Sequence, residues 1–131
     1  MGGTETMSCT NQGEMYLRYW RKCLDLEDWH IRLDDECDIS DMDIETVGQT
    51  TWQEVSKTAR IQIIDPVHYG ERVIPFDYEK TLVHELLHLK TCLLTDNVDP
   101  LQERVGHILI DDLARALVDA KRSEAERYDG T

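Results

Sequence analysis

TLVHELLHLKT, residues 81–91, sets two imidazoles and a carboxylate into an otherwise apolar run. Leu82, Val83, Leu86, Leu87 and Leu89 cover most of a helical circumference, so the spacing predicts a helix that lies in the middle of the fold. Asp77 stands where its N-cap is needed, and Glu79 suits the first turn. His84 and His88 are i and i+4; their side chains stand one above the other, with Cβ atoms about 6 Å apart, and both can reach one ion. Glu85 projects about 100° round from His84, which makes it a poorer ligand but places it to hold a water at that ion. The plainer alternative makes the histidines core-edge residues bonded to backbone carbonyls, with Glu85 solvated. Two histidines and a glutamate on a buried helix are expensive to satisfy without a shared partner.

Downstream, Asp99 is a second N-cap, Pro100 occupies the first helical position and Gln102 completes a capping box, so another long helix opens here. Leu101, Val105, Leu109, Leu113, Ala116, Leu117 and Ala120 form the stripe expected to face the core. Glu103 and His107 lie together on another face, again i and i+4. A catalytic zinc site takes three protein ligands and leaves a position for water. The third ligand is read as Glu103, with His107 hydrogen-bonding a ligand from outside; His107 as the ligand is the alternative.

Upstream, Met15, Tyr16, Tyr19, Trp20, Cys23 and Leu24 recur at helical spacing within residues 12–26. Residues 29–33, WHIRL, alternate as a short strand, and the acidic stretch from Asp34 to Asp43 reads as a solvated loop. Its lack of the EF-hand Gly and terminal Glu argues against a calcium site. Residues 47–55 and 58–64 read as two strands of a hairpin turning at Ser56 and Lys57.

This order of elements resembles the gluzincin clan of metallopeptidases and, at this size, the minigluzincins and related zincin-like proteins of phages and bacteria. The resemblance covers about residues 12–120, and its most characteristic string is TLVHELLH. It implies an α+β, zincin-like fold: an N-terminal helix, a small sheet of about three strands, the HExxH helix and a C-terminal helix bearing the glutamate. It also implies Zn2+ on His84, His88 and Glu103, Glu85 as general base, and a protein or peptide substrate. The metzincin pattern is excluded, because it needs Gly at 91 and a ligand at 94, where this chain has Thr91 and Leu94. His107 stands where the larger gluzincins commonly have an Asp. SprT-like proteins use a third histidine but place it before a glycine, whereas Gly106 precedes His107 here. Tyr69, Tyr78 and His68 are all candidates for stabilising an oxyanion, and nothing selects among them.

The whole chain sets bounds on these readings. At 131 residues and 40% apolar it is expected to form one domain, ordered over about 12–122, with residues 1–10 and 123–131 as frayed ends. Its 27 acidic against 14 basic residues give a net charge of −13, which opposes a phosphate backbone, so no nucleic-acid partner is expected. No apolar run spans a membrane and no secretory signal opens the chain, so a cytoplasmic protein is expected, in the host cytoplasm if phage-encoded. A monomer is assumed. Cys9, Cys23, Cys37 and Cys92 form no C-x-x-C pair and read as reduced thiols. The function expected is a small zinc metallopeptidase. A non-peptide amide or ester hydrolase is one alternative. The other is a catalytically silent zincin-fold module whose acidic surface occupies a basic or nucleic-acid-binding partner.

Overall fold

The structure, a computed structural model, describes residues 10–37, 47–65, 75–95 and 99–129. It is an α+β arrangement of helix α1 (Asn11–Cys23), strands β1 (His30–Cys37), β2 (Gly48–Gln53) and β3 (Thr58–Ile64), and helices α2 (Tyr78–Thr95) and α3 (Pro100–Asp129). The sheet is mixed, in the order β1-β3-β2, with β1 parallel and β2 antiparallel to β3. The expected hairpin forms: Gln53 pairs with Thr58, and Lys57 ends the turn at a φ of 53°.

Helix α2 is the centre of the molecule. Leu82, Val83 and Leu86 are fully buried against Ile61 and Ile63 of β3, with Trp20 of α1 and Val118 of α3 in the same cluster. Each fully buried aliphatic side chain of this kind contributes about 1.5–3 kcal/mol. Both predicted caps are present. Asp77 Oδ1 accepts from the Lys80 N–H at 3.1 Å, Asp99 Oδ1 accepts from the Gln102 N–H at 2.8 Å, and Gln102 returns the bond to the Asp99 N–H at 3.3 Å.

Three expectations need correction. The helical face of α1 that enters the core is Gly13, Leu17 and Trp20, while Met15 and Tyr19 are exposed. Strand β1 does not stop at Leu33; it continues through Cys37, with Asp34 and Asp35 buried. Burial of these acids is stabilised by hydrogen-bonding partners, all but Arg32 distant in sequence. Asp34 bonds Arg32 at 3.3 Å and Arg60 at 2.7 Å, and Asp35 accepts from the Thr10 N–H, the Thr10 hydroxyl and, at 2.6 Å, the Tyr78 hydroxyl. The rest of the acidic stretch, 38–43, lies outside the described residues.

Helix α3 is turned the other way from the expected stripe. Ile110, Ala114 and Val118 are buried, whereas Leu101, Val105, Leu109 and Leu113 face outward. The C-terminal half is anchored by charge as well as by packing. Arg122 holds Asp77 through two bonds of 2.8 and 2.9 Å, and buried Glu79 accepts from Trp20 Nε1 at 2.8 Å and from Lys121. Burial alone would raise the Asp77 carboxyl, but the Arg122 bonds and the Lys80 N–H outweigh it and hold the group below its ordinary range. Lys121 also lies over the rings of Tyr16, Tyr19 and Trp20, at 5.0, 4.5 and 5.8 Å. The helix therefore runs on through 123–129, a stretch whose composition suggested a frayed end.

No helix of the described residues is long and apolar enough to cross a membrane.

Candidate metal centre

Helices α2 and α3 pack antiparallel, in a register fixed by the Lys80–Asp119 ion pair at 3.1 Å and the His84–Asp111 contact at 3.3 Å. That register sets His107 level with His88. The ring centroids of His84, His88 and His107 are 5.1, 4.9 and 5.2 Å apart, and one nitrogen from each lies within 4.8 Å of the others. Tetrahedral zinc, at about 2.0–2.1 Å from each nitrogen, wants them roughly 3.3 Å apart, a closure that small side-chain rotations supply. Among the described residues these three histidines are the group able to hold a metal ion.

Glu103, the expected third ligand, does not join them. It is exposed in the first turn of α3, where the antiparallel register brings it level with Cys92, one helical turn beyond His88. The third member of the group able to hold an ion is His107, and Asp111, four residues later, lies behind His84. Asp111 Oδ1 lies 3.3 Å from His84 Nδ1, and Arg115 bonds both Asp111, at 3.5 Å, and Asp112. A carboxylate can only accept here, so Nδ1 carries the proton and Nε2 of His84 keeps its lone pair for an ion. The i, i+4 pair His107–Asp111 was present in the sequence as plainly as Glu103–His107. What was missing was the helix register that selects between them.

Burial pushes the His84 imidazolium below its ordinary pKa, with His107 adding to the effect and Asp111 opposing it. For His88, burial and the other two imidazoles push the value down to about 4. Both rings are therefore neutral at pH 7, which is the form that binds a metal. The donor set, with two half-buried neutral imidazoles, an exposed third beside them and a carboxylate behind one ring, fits a divalent ion of the zinc type.

Glu85 is 6% exposed and is held from the sheet side. The Thr50 hydroxyl of β2 donates to its Oε1 at 2.6 Å, and a Cβ added to Gly48 would lie only 2.9 Å from its Oε2 and 2.8 Å from Thr81 Cγ2. The glycine lets the edge strand approach the helix closely enough to fix the carboxylate. Burial pushes the Glu85 carboxyl up to about 7, with the Thr50 bond opposing. Thr50 had no signal in the sequence, since it reaches Glu85 across the sheet–helix interface.

Compared with protein-family models, curated proteins and solved structures, the chain matches none.

The three histidines and Glu85 share a cleft of about 600 Å³, bounded by β2 on one side and α3 on the other. Val47, Trp52, Phe76 and Ala114 give it apolar walls, and Lys80 and Arg115 stand at its rim. Tyr78 is not among the groups lining it; its hydroxyl is bonded to Asp35. His68 and Tyr69 lie outside the described residues.

Proposed function

We propose that this protein is a zinc-dependent hydrolase of peptide bonds, with His84, His88 and His107 as the metal ligands and Glu85 as the general base. The observation that carries the reading is the convergence of three imidazoles beside a buried carboxylate whose pKa is about 7, in a cleft flanked by a sheet edge. An ion at the histidines would supply Lewis acidity, polarising the scissile carbonyl and acidifying water. Glu85 takes the proton from the attacking water and passes it to the leaving amine nitrogen. Burial favours proton uptake by this carboxyl, and a dication nearby would draw its pKa back down. Thr50 holds Oε1 and so fixes the orientation of the carboxylate. Asp111 fixes the His84 ring and so the direction of its Nε2.

A peptide is favoured over a small amide by the sheet edge. Among the described residues β2 pairs only with β3, and Val47, Gly48, Gln49 and Thr50 along it border the cleft. An extended chain laid there gains backbone hydrogen bonds at every second residue, and the apolar walls receive its side chains.

Incubation with unstructured protein substrates in the presence of zinc should yield fragments. A strong chelator should stop the cleavage, and added zinc should restore it. Cleavage that continues in the chelator, or no cleavage of any peptide by the zinc-loaded protein, would contradict the proposal.

Gly48→Ala bears on how Glu85 is placed. The added methyl group must displace Glu85 or Thr81, so kcat is expected to fall by roughly 10–100-fold while metal content is unchanged. Steady-state kinetics beside elemental analysis checks this; an unaltered kcat would separate Gly48 from the positioning of the base.

A further inference from the structure

Helix α3 has apolar side chains on two opposite faces, and among the described residues only one of them packs into the core. Ile110, Ala114 and Val118 are buried against α2, while Leu101, Val105, Ile108, Leu109 and Leu113 are 48–70% exposed. Ala116 and Ala120 continue the outward face. At 30 residues the helix is about 45 Å long, and the outward stripe occupies roughly 30 Å of it.

The size of the stripe is informative. Scaling the residues' fractional exposures by the area each would show in an extended chain, the five large residues expose roughly 450 Å². A stable protein interface covers about 800 Å² on each partner, of which about 56–65% is apolar, so the stripe supplies about the apolar area that one side of a stable dimer needs. The face is also complementary to itself. Its large residues run from Leu101 through Val105 and Leu109 to Leu113, so the centre of the stripe presents like residues on either side of Leu109. Antiparallel apposition about a two-fold axis beside Leu109 sets Leu109 beside its own counterpart, Val105 level with Leu113 of the second copy, and Leu113 level with its Val105. The large apolar side chains of the two stripes then meet along the middle of the helix, each copy burying the same residues of the other.

We propose that the outward face of α3 is a homodimer interface, covered by the same face of a second copy. The pairing is isologous and closes at two chains. It is apolar in origin, and each chain carries a net charge of −13, so added salt screens the repulsion between copies and tightens the dimer.

Sedimentation of the full chain at tens of micromolar tests this. The expected result is a species of twice 15.3 kDa, which Leu109→Glu converts to a monomer and Val55→Glu leaves intact, Val55 being an isolated, fully exposed residue of the β2–β3 turn. Circular dichroism and zinc content are expected to be unchanged in Leu109→Glu, because the residue makes no part of the core or the histidine cluster; loss of either would itself contradict the assignment of this face to the exterior. A monomer in the parent protein, a dimer that survives Leu109→Glu, an open-ended series of larger species, or dissociation by added salt would each overturn the proposal.

Discussion

Glu85→Gln is expected to lower the rate of peptide cleavage by about 10²–10⁴-fold while leaving metal binding intact, because glutamine keeps the shape and can still accept from Thr50 but cannot take a proton. The same substitution is expected to stabilise the metal-free protein, and the sign follows from the pKa. Burial raises the Glu85 carboxyl from 4.5 to about 7, so the folded chain holds that proton more tightly than the unfolded chain does. The corresponding stability is fully present below pH 4.5 and is lost as the pH rises through about 7. At pH 8 the ionised, buried carboxylate costs on the order of 2–3 kcal/mol, a cost that the neutral amide of the variant does not incur. Urea unfolding of chelator-treated protein at pH 4.5 and pH 8 reads this directly: the variant should gain stability over the parent at pH 8 and not at pH 4.5. Undiminished cleavage in Glu85→Gln would rule out Glu85 as the general base.

The second large effect is on stability and concerns Gly13. Glycine inside a helix ordinarily costs about 1 kcal/mol relative to alanine, so Gly13→Ala in α1 should stabilise the protein on propensity alone. The opposite is expected. A Cβ at this position would overlap the Asp35 carboxylate and the Tyr78 hydroxyl. Asp35 is 2% exposed and depends on Thr10 and Tyr78 for its bonds, and Thr10 is also the N-cap that accepts from the Gly13 N–H. Displacing a buried carboxylate from its donors costs about 1–3 kcal/mol or more, which outweighs the gain in helix propensity. A net loss of about 2 kcal/mol and a fall in Tm of roughly 5–10 °C are expected by calorimetry. A rise in Tm would mean that the Thr10–Asp35–Tyr78 cluster does not hold α1 to the sheet and α2.

These two residues also mark where reading the sequence succeeds and where it stops. Features written in neighbouring residues were legible. The Asp77 cap, the Asp99–Gln102 capping box, the β2–β3 hairpin and the common side shared by His84 and His88 all follow from short spacings along the chain. Features set by contacts between distant elements were not. Asp34 and Asp35 looked like the start of a solvated loop because their partners Arg60, Thr10 and Tyr78 are 26, 25 and 43 positions away. Thr50 is 35 positions from the carboxylate it fixes. For α3, periodicity identified an apolar stripe but could not say which of two faces would meet α2. The face that does so carries Lys121 and Arg122, whose partners Glu79 and Asp77 open α2, and it also brings His107 and Asp111 to the site. The same register decides which side chain of α3 lies beside His84 and His88: one helical turn separates Glu103 from His107, and nothing within α3 itself chooses between them.

The most direct test of the histidine centre is a zinc titration of the metal-free protein by calorimetry, run in parallel on the parent chain, His107→Ala and Glu103→Ala. One equivalent is expected to bind to the parent and to Glu103→Ala, with a loss of at least about 100-fold in affinity on replacing His107, about 3 kcal/mol for a ligand removed from the ion. Absence of binding by the parent protein, or affinity that falls with Glu103 and not with His107, would contradict a three-histidine centre.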